Sequence, residues 1–351
     1  MLNSFFFIEN IWIKSLICLC SSYFFGYLGI KSFLNYANKK QICRQPIRSD
    51  GPQTHINTKK NTPTMGGIFI LLSTLITSLL FLDLSNPYLL VTILVFLLFG
   101  LIGLTDDLLK VIYKNPNGFR GSLKIIIQFT IISAAILWLG YNNYSYLDGR
   151  IFLPIGHGHY ITIGIALYVL FVTLVIVGSS NAVNLTDGLD GLVSVPAIIN
   201  LICLFILVFT ASNSDLAKSY NIPHIRNSQE LIFFCTSLIG SILAFLTFNL
   251  KPAKIFMGDV GSLAIGSALG LIAIIIKEEF VFFIISILFV TEAVSVILQV
   301  GSYKLRKKRI FLMAPIHHHF EKLGWSERKV VRSFWGAALL FAALGMMIFL
   351  F

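Results

Sequence analysis

Ten runs of about 17 to 25 predominantly apolar residues recur along this chain, the length a helix needs to cross the roughly 30 Å hydrocarbon core of a bilayer. They centre near Cys20, Ser73, Val95, Ser133, Phe171, Ile202, Leu243, Leu269, Ile287 and Leu340. Backbone polar groups in lipid must be satisfied within the chain, so runs this long are helices. The expected fold is all-α: a polytopic membrane protein of about ten transmembrane helices, forming a single domain over residues 1–351. Composition agrees, since 56% of the 351 residues are hydrophobic and only 12% are charged, whereas a soluble domain carries about a quarter. A net charge of +11 would suggest nucleic acid in a soluble protein. Here the basic residues lie between apolar runs, where orientation and anionic lipid account for them, so the bilayer is the expected partner and nucleic acid is not.

Of the 27 lysines and arginines, 21 fall in the segments 35–64, 105–124, 251–259 and 304–332, against Arg150, Lys218, Arg226 and Lys277 in the opposite loops. Basic loops stay cytoplasmic, which with ten spans puts both termini on the periplasmic side. The first apolar run lacks a cleavage signal and reads as a retained span. Cys18, Cys20, Cys43, Cys203 and Cys235 lie in or beside apolar segments without metal-ligand spacing, so they read as small hydrophobes rather than disulfides.

Four polar clusters fall on the basic side. The segment from Asn181 to Gly191, NAVNLTDGLDG, carries Asn181, Asn184, Thr186, Asp187 and Asp190 with no basic residue. A carboxylate at the centre of a membrane span costs about 2.5–3.5 kcal/mol, so two acids in such a segment ask for more than a solvated turn. The others are Thr105-Asp106-Asp107 to Lys110, Phe256-Met257-Gly258-Asp259, and Pro315 to Phe320 with three histidines.

Asp106 and Asp107 close a span at a helix C-terminus, where the macrodipole disfavours carboxylates. Lys110, Lys124 or Mg²⁺ would offset them, the last because a hard cation shares carboxylate oxygens with substrate phosphates. Adjacent helical residues point about 100° apart, so only one of the two acids is expected to face the reacting centre. The NAVNLTDGLDG segment and Gly258–Ser262 are both expected to open a following helix. That would place Asp187 or Asp190, and Asp259, beside free N–H groups that suit phosphate oxygens. Lys59 or Lys60 is read as reaching an anionic ligand, or as tethering the loop to anionic lipid. Glu292 and Gln299 are expected to form a hydrogen-bonded pair facing the bundle interior, with a transport or headgroup site as the alternative. Consecutive histidines cannot share one helical face, so a zinc triad of His317, His318 and His319 is not expected. Binding phosphate or closing the pocket suits one or two of them.

With these residues in hand, the chain resembles the phospho-N-acetylmuramoyl-pentapeptide transferases, within the wider superfamily of polyprenyl-phosphate N-acetylhexosamine-1-phosphate transferases. The resemblance rests on TPTMGG at Thr62 to Gly67, Asp106-Asp107, NAVNLTDGLDG, FMGDVGS at Phe256 to Ser262 and MAPIHHHFE at Met313 to Glu321. It implies a bacterial inner-membrane enzyme of peptidoglycan synthesis, a homodimer that uses Mg²⁺. It also implies transfer of phospho-N-acetylmuramoyl-pentapeptide from UDP-MurNAc-pentapeptide to undecaprenyl phosphate, giving lipid I and UMP. By resemblance Asp106, Asp107 and Asp259 are catalytic and Asp259 binds the metal. Lys59, Asp187, Asp190, Asn249 and Phe256 would line the nucleotide pocket, Lys110, Lys124, His318 and His319 the cleft, and Asn184 would also bind substrate. The runner-up is a related transferase using another UDP-N-acetylhexosamine. A secondary transporter would show an internal repeat and sites at the midplane, and an intramembrane metalloprotease a His-Glu-x-x-His spacing; the sequence has neither.

Overall fold

The computed structural model describes residues 10–40, 62–113, 118–141, 148–153 and 158–350. Lys59, Lys60 and Cys43 lie outside the described residues. Among those described, nine helices are long and apolar enough to cross a membrane. They are α1 (Ile11–Lys40), α3 (Pro87–Ile112), α4 (Gly121–Tyr141), α5 (Ile165–Thr186), α6 (Ser194–Ser212), α8 (Glu230–Asn249), α9 (Gly258–Ile275), α11 (Ile287–Arg306) and α13 (Glu327–Leu350). The expected second span is the apolar helix α2, Gly67–Phe81, with 15 residues. At about 1.5 Å per residue it is shorter than a full crossing. Shorter helices are α7 (Ser214–Ser219), α10 (Glu279–Ile285) and α12 (Ile316–Lys322).

Two features depart from the sequence reading. A two-stranded hairpin, β1 (Arg150–Phe152) with β2 (Tyr160–Thr162), pairs Ile151 with Ile161 in antiparallel register. The expected span around Ile287 is interrupted at Ser286, and α11 begins there and runs to Arg306. The Ser286 hydroxyl bonds the side chain of Asn200, at 3.1 Å, which fixes the break against α6. The span's centre therefore lies some ten residues later than the apolar run suggested, because α11 carries its polar end beyond the hydrophobic stretch.

The bundle is built around α9, in which every residue from Val260 to Ile275 is buried. Close approach of its neighbours follows from small residues. A Cβ at Gly67 would overlap the backbone of Gly261, and one at Gly103 would overlap the carbonyl of Asp259 and the amide of Val260. Between membrane helices, where no hydrophobic effect drives association, such backbone contact is what small residues permit. On the other side, the Ser179 and Ser180 hydroxyls of α5 donate to the carbonyls of Gly266 and Leu263, both at 2.8 Å. Gly103 matters most for position, because Asp106 and Asp107 follow it by one turn and share its face of α3. The α3–α9 crossing thus presses both acids against the start of α9.

Candidate active site

α9 opens at Gly258, whose φ of +76° lies in the region that glycine adopts at no steric cost. A side chain there would strike Asp107. The first turn of a helix leaves backbone N–H groups without intrahelical partners, and Asp107 Oδ2 accepts one of them, Val260 N, at 3.2 Å. Asp259 Oδ1 accepts from Asn184 Nδ2 at 2.9 Å, and the same amide donates to Ser262 Oγ at 2.9 Å. Asp259 Oδ2 receives Lys124 Nζ at 2.7 Å and Lys110 Nζ at 3.3 Å. Lys110 Nζ also pairs with Asp106 Oδ2 at 2.5 Å, while Asp106 Oδ1 accepts Phe119 N.

Both Asp106 and Asp107 therefore enter the cluster, contrary to the expectation that only one would. The 100° between them is taken up because Asp107 turns to the α9 start and Asp106 to the lysines. Coordinating oxygens of Asp106, Asp107 and Asp259 lie within 4.8 Å of one another. Asp259 is the open member, with 18% of its side chain exposed against 4% and 0% for the other two. Three carboxylates face two ammonium groups, so the cluster keeps surplus negative charge when all are ionised. Among the described residues, Asp107 Oδ1 is buried without a hydrogen-bond partner. An all-oxygen set with a spare buried carboxylate oxygen fits a hard divalent cation.

The NAVNLTDGLDG segment is placed differently from the sequence reading. α5 runs through Thr186, and Asp187 caps its C-terminus, so the segment ends one helix rather than opening the next. Asn184 reaches Asp259 from that last turn. Asp190 is buried, its Oδ2 accepting Ala253 N at 3.1 Å and its own N–H donating to Glu327 Oε1 at 3.1 Å. Asn249 is also buried, accepting Gly191 N at 2.8 Å and donating to Ile255 O at 2.9 Å. These two residues staple the turn after α5 to the loop before α9. That loop lies against TPTMGG: Phe256 N donates to Pro63 O at 2.9 Å, and Gly66 N and Gly67 N donate to Phe256 O and Met257 O at 2.8 and 2.9 Å. The Phe256 side chain is half-buried.

The three histidines take different partners, although the rings of His317 and His318 touch, with centroids 4.1 Å apart. His318 Nδ1 pairs with Glu321 at 2.7 Å on its own helix, and His319 Nδ1 accepts Leu312 N at 3.2 Å. His317 is buried, with Nδ1 3.0 Å from Glu292 Oε1, and its ring covers Gly188. Glu292 and Gln299 are not a pair. Gln299 instead clamps the loop before α12, accepting Ile310 N and Phe311 N at 3.0 and 2.9 Å and donating to Phe311 O at 3.0 Å. Their two-turn spacing puts both on the inner face, but each is taken by the histidine loop.

Sequence reasoning missed three contributors. Gln128, fully buried one turn beyond Lys124, accepts from Asn181 Nδ2 at 2.8 Å; a glutamine inside an apolar run was the available signal. Glu327 binds Lys251 as well as the Asp190 amide, and nothing local in the sequence marks that. His317 has no local signal that separates it from His318 and His319.

Residues 89–277 match the family described as Glycosyl transferase family 4, and residues 59–71 match Phospho-N-acetylmuramoyl-pentapeptide-transferase signature 1. A protein named phospho-N-acetylmuramoyl-pentapeptide-transferase from Francisella philomiragia subsp. philomiragia is 49% identical over 327 residues, covering 91% of this chain and 88% of the relative. Proteins of the same name from Francisella tularensis subsp. tularensis and subsp. novicida are each 47% identical over 323 residues, covering 90% of this chain and 87% of the relative. With that identity along most of both chains, and with the motifs gathered at one end of the bundle, the chain belongs to the phospho-N-acetylmuramoyl-pentapeptide-transferase family.

Proposed function

We propose that this enzyme transfers phospho-N-acetylmuramoyl-pentapeptide from its UDP carrier to undecaprenyl phosphate at the cytoplasmic face of the bacterial inner membrane, yielding lipid I and UMP for peptidoglycan synthesis. The observation that carries the reading is the convergence of Asp106, Asp107, Asp259, Lys110, Lys124 and Asn184 at the α9 N-terminus. Phosphoryl transfer needs positioning and charge neutralisation more than covalent help from the protein, and this cluster supplies both. A helix start with free N–H groups suits phosphate oxygens.

The oxygen of the lipid phosphate attacks the β-phosphorus of the nucleotide-sugar. The new P–O bond forms as the bond from that phosphorus to the α-phosphate bridge breaks, and the electron pair leaves on UMP. A phosphate monoester has a second pKa of about 6 and is already mostly dianionic at neutral pH, so it needs little general-base assistance. Lys110 and Lys124 neutralise charge on the phosphates. Asn184 fixes one oxygen of Asp259, and Asp107 holds the α9 start. Asp106 orients Lys110 and takes any residual proton from the attacking phosphate. Mg²⁺, held by Asp259 with Asp106 and Asp107 beside it, would add electrostatic stabilisation of the transferring phosphoryl group. Lys59, Asp187, Asp190, Asn249, Phe256, His318 and His319 are assigned to substrate binding by family likeness. Asp190 and Asn249 do so by shaping the loops, and a homodimer is the proposed assembly.

The test is UMP release by the purified protein in detergent from UDP-MurNAc-pentapeptide and undecaprenyl phosphate, with and without Mg²⁺. Activity only with another UDP-N-acetylhexosamine would overturn the substrate. A UMP burst matching enzyme concentration in lipid-free protein, abolished in Asp106→Asn or Asp107→Asn, would replace direct attack by an aspartyl-phosphate route.

A further inference from the structure

α11 turns an apolar face outward, with Ile297 68% and Leu298 47% exposed, yet its inner face carries a carboxylate that no solvent reaches. Leu288, Phe289, Glu292 and Ser295 are its buried residues, and Gln299 continues the stripe one turn on. An ionisable group inside a membrane helix is retained for a reason. Glu292 and His317 are both 0% exposed. Among the described residues, their contact leaves Glu292 Oε2 and His317 Nε2 buried with no hydrogen-bond partner. Native structures leave few buried polar atoms unsatisfied, and each that persists calls for an explanation.

The geometry gives one. A carboxylate beside Nδ1 makes that nitrogen the N–H donor and orients the ring, so the other nitrogen is presented elsewhere. Here Nε2 lies against Gly188, at a place where any side chain would overlap the ring. Gly188 follows Asp187, the cap of the helix whose last turn sends Asn184 to Asp259. A line of direct contacts thus runs from Glu292 through His317 to the Asp187–Leu189 turn and, by way of Asn184, to the reacting cluster. Gln299 holds the same loop independently through the backbone of Ile310 and Phe311, so Glu292 is not needed merely to keep the loop attached.

We infer that Glu292 is a positioning residue for the nucleotide-sugar side of the reaction: it fixes the tautomer and orientation of His317, whose ring seats the Asp187–Gly188–Leu189 turn. The inference rests on the transferase reading above. Glu292→Leu removes the acceptor and keeps the apolar volume. Glu292→Gln keeps an oxygen able to accept from Nδ1–H. Glu292→Asp draws the carboxylate back by one carbon.

The expected result is a loss of about tenfold or more in kcat/KM for UDP-MurNAc-pentapeptide in the Leu and Asp variants, the size seen when a histidine loses its orienting partner. The KM for undecaprenyl phosphate stays at the wild-type value, and the Gln variant recovers most of the loss. Should the Leu variant fail to fold, the Asp variant carries the same comparison. Wild-type donor kinetics in either, a Gln variant as poor as Leu, or equal losses for donor and acceptor with a lowered melting temperature would each overturn the inference. The ¹⁵N signals of His317 in histidine-labelled protein give a readout independent of substrate identity. They report an Nδ1–H tautomer in the wild type and a mixture in the Leu variant, and an unchanged tautomer would also overturn it. Failure of the wild type to release UMP would count against the transferase reading alone.

Discussion

Gly103→Ala adds one methyl group where α3 crosses α9. The new carbon would meet the Asp259 carbonyl and the Val260 amide, backbone atoms that cannot rotate away, at separations no real Cβ contact shows, whereas ordinary contact begins at 3.4 Å. The helices must part locally by about 1 Å to accommodate it, and overpacking of this kind costs about 1–3 kcal/mol. Asp106 and Asp107 move with α3 and Asp259 with α9, so the displacement falls on the distances that define the cluster. A misplacement of about 1 Å costs on the order of 10²-fold in rate, equivalent to about 2.7 kcal/mol of barrier. The assay is initial UMP release by purified protein, with gel-filtration profile and melting temperature measured in parallel. Gly178→Ala is the control, because a Cβ there meets nothing within 4 Å among the described residues and alanine gains about 1 kcal/mol in helix propensity. A folded Gly103→Ala protein turning over within threefold of wild type would refute the claim that backbone contact sets the site.

Asp259→Asn keeps shape but removes the charge that both lysines engage, so turnover should fall by about 10²-fold or more; near-normal Mg²⁺-dependent activity would exclude a metal-binding role. Phe256→Ala should weaken nucleotide-sugar binding by roughly 1–3 kcal/mol if its half-buried ring stacks on the base, read by calorimetric titration, with the lipid KM unchanged. Glu278, between α9 and α10, has its carboxyl pushed up to about 8 by burial and, secondarily, by Glu279. The unfolded chain releases that proton nearer 4.5, so stability is highest below that pH and declines as pH rises towards 8. Glu278→Gln should therefore melt higher than wild type at pH 8.5, by about 2–4 °C per kcal/mol recovered, and little differently at pH 4.5.

The membrane architecture was legible because apolar run length speaks directly to bilayer thickness, and Asp259 was legible because Gly-Asp before an apolar run marks a helix start. Orientation within the clusters was not. The helical period separates Asp106 from Asp107 but is silent on α9, whose N–H groups draw Asp107 inward while the lysines draw Asp106. The histidines offered three identical side chains in a row; which one lies over Gly188 is decided by Glu292, twenty-five positions earlier in the chain. The end of α5 is ambiguous in the sequence because Asp and Gly mark a helix start or stop equally well. The break at Ser286 depends on Asn200, on another helix.

The order in which the reacting cluster is synthesised has a consequence for membrane insertion. Asp106 and Asp107 enter with Lys110 on the same helix, and Lys124 on the next supplies the second positive charge that balances them. Asp259 emerges 135 residues after Lys124, about 7 to 27 seconds later at 5–20 residues per second. Without Asp259, the two lysines and two aspartates carry formally balanced charge. The arrival of α9 adds the third carboxylate, so the surplus negative charge that would suit a divalent cation arises only once Asp106, Asp107 and Asp259 are brought together in the finished bundle.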